Sequence, residues 1–270
     1  MAKTDTKTVW ITGASSGIGK EAATQYAQRG DHLIISARNQ EKLSALQKEL
    51  STASSVEVLP LDLSDEASII KAAEYVKGKF DKVDLVFHAG GISQRSYLKD
   101  TSVEVDRRIM EVNYFGTIIL TKAVLPSMLR SGGGQFAVVS SLVGIFGYGV
   151  RSAYSASKHA LHGFFESMEL ELGSEGIHST IICPGGVRTN ISVNALMGDG
   201  RPSGEMDEMQ SRGMPVKRAV AKMISAIDRK ERLLILGSAK EKFGVLVYRF
   251  WPSLFFKIAQ KQNPRGSVKL

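Results

Sequence analysis

Tyr154 and Lys158 are the residues whose types and spacing point most directly to chemistry in this chain. Residues four apart lie on one face of a helix, so the ammonium would sit beside the phenol. The pKa of tyrosine is about 10 in water, and a nearby positive charge lowers it by favouring the phenolate. The pair therefore predicts a tyrosine that acts as a general acid or base. An exposed Tyr and Lys on an ordinary helix is the alternative.

A glycine-rich turn, Thr12-Gly13-Ala14-Ser15-Ser16-Gly17-Ile18-Gly19, follows the first strand-like run of the chain. Glycine is needed where the backbone turns sharply, where it approaches a pyrophosphate and where a helix packs tightly on a strand. The helix that follows offers free N–H groups and a positive dipole end to phosphates. This order of strand, turn and helix predicts dinucleotide binding. The predicted contacts are Gly13, Ser15, Ser16, Gly17, Ile18 and Gly19.

These motifs together resemble those of the short-chain dehydrogenase/reductase family. The turn matches its Thr-Gly-x-x-x-Gly-x-Gly spacing, and Ser141 precedes Tyr154 by thirteen residues, as in its Ser…Tyr-x-x-x-Lys set. Asn113 matches its active-site asparagine, and Pro184-Gly185 matches its proline–glycine pair after the sixth strand. The resemblance covers residues 7–236 and is nearest the hydroxysteroid dehydrogenase and membrane-associated branch. The catalytic residues that it implies are Asn113, Ser141, Tyr154 and Lys158.

The resemblance also implies a role for each of these residues. Tyr154 donates the proton in reduction and accepts it in oxidation. Lys158 lowers the Tyr154 pKa and hydrogen-bonds the nicotinamide ribose, while Ser141 donates a hydrogen bond to the substrate oxygen. Asn113 holds a water molecule that connects Lys158 with solvent. Ser140 competes with Ser141, but its spacing to Tyr154 is one residue too long.

The end of the second predicted strand indicates which nicotinamide cofactor is used. It has the sequence Ser36-Ala37-Arg38 and offers no carboxylate for the ribose 2′-hydroxyl of NAD. Arg38 can pair with a 2′-phosphate, so we expect NADP(H); a solvated loop arginine is the alternative. Asp62 resembles the family residue that hydrogen-bonds adenine, or it caps the next helix. The other expected cofactor contacts are Leu63, Ala89, Gly90, Tyr154, Lys158, Pro184, Gly185, Val187 and Thr189.

Three histidines need separate consideration. His88-Ala89-Gly90-Gly91 stands where the family has Asn-Asn-Ala-Gly, so His88 either substitutes a hydrogen bond or contacts local backbone. His159 and His162 have helical spacing, but no carboxylate or cysteine cluster accompanies them. We therefore expect no metal site.

Apolar runs that alternate with helical stretches predict an α/β fold. We expect a single doubly wound Rossmann domain, with helices on both faces of a seven-stranded parallel sheet. The predicted strands are Val9-Ile11, Leu33-Ser36, Val56-Leu59, Leu85-His88, Phe136-Ser140, His178-Cys183 and Leu233-Leu236. The catalytic domain would span 1–237, with a substrate loop at 190–214 and a basic aromatic extension at 238–270.

The formal net charge of +8 is concentrated in this extension, which holds seven Lys and Arg against one acid, Glu241. The body is nearly balanced, which disfavours nucleic-acid binding. Cys183 is the single cysteine, the first residues are polar, and no apolar run reaches about 18 residues. We therefore expect a cytoplasmic protein.

The extension is rich in aromatic residues, with six of the chain's twenty between Phe243 and Phe256. Pro252 interrupts any single helix there. Aromatic and basic residues together fit a peripheral helix on a membrane surface, or a subunit interface in a homodimer or homotetramer. Burial against the body is the third alternative, and the sequence leaves all three open.

These features predict an NADP(H)-dependent oxidoreductase that interconverts a ketone or aldehyde and an alcohol. Phe146, Tyr148 and Val150 precede Tyr154 and favour an apolar, lipid-like or steroid-like substrate. A 3-oxoacyl thioester reductase is the alternative among enzymes. A redox-sensing NADP-binding regulator is the alternative outside enzymes, although such a protein has no use for all four catalytic residues.

Overall fold

The computed structural model describes residues 6–261, so the last part of the predicted extension, 262–270, lies outside the described residues. Within this range one sheet has the strand order β3-β2-β1-β4-β5-β6-β7, and all its pairs are parallel. Every predicted strand is present, with small shifts at the ends. The strands are β1 (Thr8–Thr12), β2 (His32–Ser36), β3 (Ser55–Val58), β4 (Leu85–His88), β5 (Gly134–Val139), β6 (Ile177–Pro184) and β7 (Leu233–Leu236).

Helices connect the strands and cover both faces of the sheet. They are α1 (Gly17–Gln28), α2 (Gln40–Glu49), α3 (Glu66–Lys79), α4 (Val103–Met110), α5 (Gly116–Arg130), α6 (Ser152–Leu172), α7 (Glu208–Ser211), α8 (Val216–Asp228), α9 (Ala239–Phe250) and α10 (Pro252–Lys261). The break between α9 and α10 lies at Pro252, where the proline predicted it.

The central strands are apolar on both faces, and this is why two helical layers can pack on them. Trp10 pairs with Ile34 and Val86 in register, and these side chains lie on the face covered by α3, α5 and α6. The next residues along the strands, among them Ile11 and Phe87, lie on the face covered by α1, α2 and α8. The predicted doubly wound α/β fold is confirmed.

The strand order reverses between β1 and β4, and this position fixes where a ligand can bind. Loops that leave the carboxyl ends of strands on either side of such a reversal diverge and leave a crevice. The glycine-rich turn follows β1, Ala89 and Gly90 follow β4, and Ser141 follows β5. Segments that are distant in the sequence therefore meet at one edge of the sheet.

A π-helical turn, Glu111–Phe115, joins α4 to α5 without a break. The combined helix Val103–Arg130 is 28 residues long and contains a window with a mean hydropathy of 1.2, so by length and composition it is apolar enough to cross a membrane. The sequence had predicted no segment long and apolar enough to cross a membrane, and this expectation needs correction. Leu120, Val124 and Met128 of this helix are buried in the core beside the sheet, and a core helix meets the same criterion.

Helices α9 and α10 pack one face on the body. Val245 and Val247 are buried, and the rings of Tyr248 and Phe255 lie 5.9 and 4.8 Å from the ring of Phe146, between centroids. Burial against the body is therefore confirmed for the inner face of the extension. The division of the chain at residue 237 stays a prediction.

Candidate active site

A cavity of about 570 Å³ lies at the carboxyl edge of the sheet. The nucleotide turn, the end of β5, the start of α6 and the segment after β6 all contribute to its wall. The predicted site residues that line it are Ile18, Ser141, Tyr154, Pro184, Gly185, Val187 and Thr189. The structure thus brings together residues that the sequence analysis selected from four separate segments.

The glycine-rich turn has the geometry that close approach of a phosphate requires. Gly13 has a φ of +67°, and a Cβ there would lie 2.7 Å from the Gly90 nitrogen. Ser16 is the N-cap of α1 but makes no side-chain capping hydrogen bond, and the first turn of α1 carries no acidic residue. The first N–H groups of α1 are therefore suited to an anion, and the turn fits the pyrophosphate of a dinucleotide.

Leu63, Ala89 and Gly90 pack around this turn. The Gly90 nitrogen donates a hydrogen bond to Thr12 Oγ1 at 3.2 Å. A Cβ on Gly13 would lie 2.8 Å from the Ala89 carbonyl oxygen, and one on Gly90 would collide with the Leu63 side chain. These predicted contact residues are thus adjacent to the turn, and the close packing there depends on the absence of a side chain at Gly13 and Gly90.

Arg38 and Asp62 lie near each other beyond the ends of β2 and β3. Burial raises the pKa of Asp62, but hydrogen bonds from Ser64 and the charges of Arg38 and Arg108 outweigh it and lower the pKa. Asp62 Oδ1 accepts hydrogen bonds from the Ser64 nitrogen at 2.9 Å and from Ser64 Oγ at 2.7 Å. The cap of α3 is Asp65, so the capping role considered for Asp62 is wrong.

Tyr154 lies in the first turn of α6 and is buried in the cavity wall. Burial raises the pKa of its phenol, while the positive charge of Arg151 and a hydrogen bond with Ser141 lower it. The Ser140 hydroxyl lies 3.3 Å from the Lys158 carbonyl oxygen and 3.0 Å from His162 Nε2. Ser141, and not Ser140, is therefore the serine bonded to the tyrosine.

Lys158 lies behind the tyrosine. Its Nζ is 5.7 Å from the centre of the Tyr154 ring and donates a hydrogen bond to the Val139 carbonyl oxygen at 2.8 Å. Burial lowers the pKa of Lys158 to about 8. In this structure the charge of Arg151 lowers the pKa of Tyr154, and the same role for Lys158 stays a prediction.

Asn113 sits inside the π-helical turn, fully buried. Its side chain accepts a hydrogen bond from the Ile92 nitrogen at 2.8 Å and donates to the Ile92 oxygen at 2.9 Å and to Ser157 Oγ at 3.0 Å. A Cβ on Gly91 would lie 3.0 Å from Asn113 Oδ1 and 3.6 Å from Lys158 Nζ. Asn113 therefore fixes the segment after β4 beside Lys158, and the water molecule assigned to it stays a prediction.

His88 is a buried residue of the layer behind the site. Its Nε2 lies 3.0 Å from Thr121 Oγ1, and its ring stacks on Phe136 at 6.1 Å between centroids. Burial and the charge of Lys158 lower its pKa to about 3, so the ring is neutral near pH 7. The histidine makes a side-chain hydrogen bond and packs, rather than contacting local backbone.

Among residues 6–261 no group of three or more His, Cys, Asp or Glu side chains could hold a metal ion.

Gln94 is a functional residue that the sequence analysis missed. Arg151, the N-cap of α6, makes no side-chain capping hydrogen bond. Gln94 Oε1 supplies the missing acceptor for the Ala153 nitrogen at 2.9 Å and the Tyr154 nitrogen at 3.4 Å, and the side chain is fully buried. Gln94 therefore sets the position of the helix turn that carries the tyrosine.

Arg151, Asp207 and Glu241 were missed as well. Asp207 pairs with Arg95 and with Arg151. Glu241 forms a capping box with Ser238 at the start of α9 and lines the cavity. No motif marks Arg151 or Asp207, because the partner of each lies far away in the sequence. Ser238-x-x-Glu241 is a local capping-box pattern, but nothing in it indicates a place in the cavity wall.

A family model described as short chain dehydrogenase matches residues 7–198. The chain belongs to this family. Proteins similar to it include a "Dehydrogenase/reductase SDR family protein 7-like" of Drosophila melanogaster, 38% identical over 95% of this chain and 80% of that protein. "Dehydrogenase/reductase SDR family member 7B" of Danio rerio is 35% identical over 95% of this chain and 87% of that protein.

Solved structures agree with the fold. A short-chain dehydrogenase from Streptomyces avermitilis is 28% identical, with a TM-score of 0.79 over 96% of this chain and 100% of that one. A short-chain dehydrogenase/reductase from Burkholderia phymatum, in complex with NAD, has a TM-score of 0.80 over the full length of both chains at 22% identity. At 22% identity, the similarity to the Burkholderia phymatum protein shows the fold alone. The chain is thus an oxidoreductase of a family that uses NAD(H) or NADP(H).

Removal of the Gln94 side chain should weaken the start of α6. In Gln94→Ala the Ala153 and Tyr154 N–H groups lose their acceptor, so we expect the free energy of unfolding to fall by about 1–3 kcal/mol. Amide hydrogen exchange at Ala153 and Tyr154 should accelerate at least about tenfold.

Gln135→Ala is the matched control, because Gln135 is a buried glutamine whose hydrogen bonds go to Thr180 and Ile227. It should lower stability without accelerating exchange at Ala153 and Tyr154. Unchanged exchange at these two amides in Gln94→Ala would contradict the positioning role.

Proposed function

We propose that the protein is an NADP(H)-dependent oxidoreductase that interconverts a ketone or aldehyde and an alcohol on an apolar substrate. The observation that carries the proposal is that Tyr154 and Ser141, bonded to each other, share one cavity wall with Ile18 and Thr189 of the predicted cofactor side. A group that exchanges protons and a site for a hydride carrier are then adjacent.

Each residue has a task at a stated atom. The Tyr154 hydroxyl holds the proton that the substrate oxygen gains in reduction, and Ser141 donates a hydrogen bond to the same oxygen as charge develops on it. Lys158 lies behind the ring and favours the phenolate when charged. A bound nicotinamide supplies or accepts the hydride. Burial of Tyr154 excludes bulk water from this proton transfer.

The exposed position of Arg38 supports NADP(H) as the cofactor. Arg38 follows β2 and forms no ion pair within the described part of the chain, so its guanidinium is free to bind a 2′-phosphate. No acidic residue occupies the end of β2, where a carboxylate would bind the ribose of NAD.

The wall of the cavity supports an apolar substrate. Beyond the catalytic groups its lining is mostly apolar, and much of the apolar part comes from two regions, the segment before α6 and the helices α9 and α10. These apolar residues are Leu142, Val143, Phe146, Val247, Phe255 and Ile258. Such a surface binds a lipid-like or steroid-like body through area removed from water. The bulky acyl carrier of a 3-oxoacyl thioester reductase has no comparable support.

We propose further that the protein is cytoplasmic and contacts an anionic membrane surface through the outer face of α9 and α10. Large apolar side chains are exposed on these helices, among them Phe250 at 63% and Trp251 at 61%. The basic residues Lys240, Lys242, Arg249, Lys257 and Lys261 accompany them. An apolar face with basic neighbours suits a lipid surface with negative headgroups.

The mouth of the cavity supports the same proposal. Phe243 and Ile258 line the cavity and are also exposed, at 66% and 45%. An apolar substrate would thus pass from lipid to pocket with little contact with water.

Assembly as a homodimer or homotetramer stays a proposal, which the exposed Phe115 and Val103 on the α4–α5 helix support.

Loss of the Tyr154 hydroxyl should abolish the reaction and leave the cofactor site intact. In Tyr154→Phe we expect kcat to fall at least about 100-fold, because the general acid is missing, while NADPH binding stays within about twofold. The measurement is NADPH oxidation across ketosteroids, retinal, diketones and acyl-thioester mimics, with NADPH fluorescence for binding.

Tyr148→Phe is the control, since Tyr148 lines the same cavity but is not bonded to Ser141. Wild-type turnover in Tyr154→Phe would disprove the mechanism. Binding of NADPH by the wild-type protein without turnover of any compound would instead favour a redox-sensing regulator.

The cofactor preference should depend on the charge at residue 38. In Arg38→Ala the ratio of kcat/KM with NADPH to that with NADH should fall about tenfold or more, because a charge-assisted hydrogen bond to the 2′-phosphate is lost. Arg108→Ala removes a second charge that acts on Asp62 and should leave the ratio unchanged. An unaltered ratio in Arg38→Ala would contradict the choice of NADP(H).

Membrane contact should depend on the exposed aromatic residues of the extension. The full chain should float with phosphatidylserine vesicles at low salt, and the double variant Phe250→Ser, Trp251→Ser should lose at least about three quarters of this binding. Leu170→Ser is the control, because Leu170 is 86% exposed on α6. Equal flotation of all three proteins would contradict membrane contact, and loss of a dimer in the double variant would assign the face to a second copy.

A further inference from the structure

A cluster of two arginines and one aspartate, with side chains that are 9–13% exposed, lies beside the candidate active site. Asp207 Oδ2 is 2.8 Å from Arg151 Nη2 and also contacts Arg95 Nη2. The three side chains come from separate parts of the chain: Arg95 follows β4, Arg151 begins α6 and Asp207 belongs to the predicted substrate loop 190–214. The cluster therefore fastens this loop to the body.

Other contacts hold the same loop in place over the cavity. The Leu196 nitrogen donates to the Ser93 oxygen at 2.8 Å, and the Arg95 nitrogen donates to the Leu196 oxygen at 2.8 Å. Ile191 and Gln210 of the loop line the cavity. With Asp207 paired to Arg151, the loop forms part of the wall that encloses a substrate.

Arg151 is the member of the cluster that reaches the cavity. It lines the cavity together with Tyr154, three residues further along the chain, and it is 8% exposed. Its Nε has no hydrogen-bond partner among the described residues. Two arginines share one carboxylate, so the formal charges leave a net positive charge buried beside the tyrosine.

A buried positive charge at this position acts on the phenol. Burial raises the pKa of Tyr154, and the charge of Arg151 opposes that rise. Lys158 is the other cation of α6 near the ring, but it donates to the Val139 oxygen. Lys240 and Glu241 of α9 line the cavity with opposite charges, and Tyr148 lines it beside Arg151.

We propose that Arg151 is a positioning residue that couples closure of the substrate loop to the acid–base state of Tyr154, because Asp207 of the loop holds its guanidinium beside the phenol. Closure of the loop then does two things at once. It completes the wall around the substrate, and it secures the positive charge that favours the phenolate. The inference rests on the proposed reaction, in which Tyr154 is the proton-exchanging group.

The test is the pH profile of alcohol oxidation, in which Tyr154 must be a phenolate to accept the proton. Arg151→Met removes the charge and keeps the length, so the midpoint of the profile should move to higher pH by about one unit. At a fixed pH below both midpoints, kcat should fall about tenfold. Arg151→Lys keeps a positive charge and should restore most of the wild-type midpoint.

The coupling to the loop is tested with Asp207→Asn. The guanidinium is then no longer held, so the midpoint should again move to higher pH, and KM should rise because the loop is loosened. The double variant Arg151→Met, Asp207→Asn should show no larger shift of the midpoint than Arg151→Met alone, since both changes act through one group. Asp199→Asn is the control, because Asp199 pairs with exposed Arg201 in the same loop, and its midpoint should equal that of the wild type.

Several outcomes would overturn the inference. An unchanged midpoint in Arg151→Met, with NADPH binding and circular dichroism like those of the wild type, would show that Arg151 does not act on Tyr154. A rise of KM alone would make it a substrate contact. A shift to lower pH in Asp207→Asn would show that the guanidinium stays in place without the loop. Absence of turnover in the wild-type protein would refute the proposed reaction instead.

Discussion

The placement of an ionisable phenol in the wall of a mostly apolar cavity is the constraint on which the rest of the site depends. In the proposed reaction burial would shield Tyr154 from bulk water, but burial also raises the pKa of the phenol. The group is useful near neutral pH only if neighbouring charges and hydrogen bonds oppose that rise. Ser141 and Arg151 oppose it in this structure, while Lys158 lies behind the ring with a pKa that burial lowers to about 8.

The parallel sheet brings the residues of the candidate site together. Because all its strands run in one direction, the segments that follow β1, β4, β5 and β6 emerge at the same edge. Four parts of the site therefore meet although they are far apart in the sequence. They are the glycine-rich turn, the segment at Ile92 that Asn113 holds, Ser141 and Pro184. The sheet brings these segments close together, and the buried side chains of Asn113 and Gln94 then hold them in place through hydrogen bonds.

The sequence predicted what depends on local pattern. Strands and helices follow from apolar periodicity, and the glycine-rich turn and Tyr154-x-x-x-Lys158 are short motifs, so both could be found without a structure. Gln94 acts on Ala153 across 59 residues, and Asp207 acts on Arg151 across 56. Such pairs leave no local signal, since an isolated glutamine or aspartate is usually a solvated surface residue. For the same reason the sequence did not reveal the charge of Arg151 that acts on Tyr154.

The helix pair α9–α10 shapes the chamber but contributes none of the four predicted catalytic residues. In the proposed function, recognition of the substrate would therefore depend in part on helices that carry none of the proposed catalytic groups. A chimaera in which α9 and α10 come from another protein would have a different cavity wall beside the same Ser141 and Tyr154. Under the proposed function, substitutions in these helices would then change the choice of substrate and leave the catalytic residues in place.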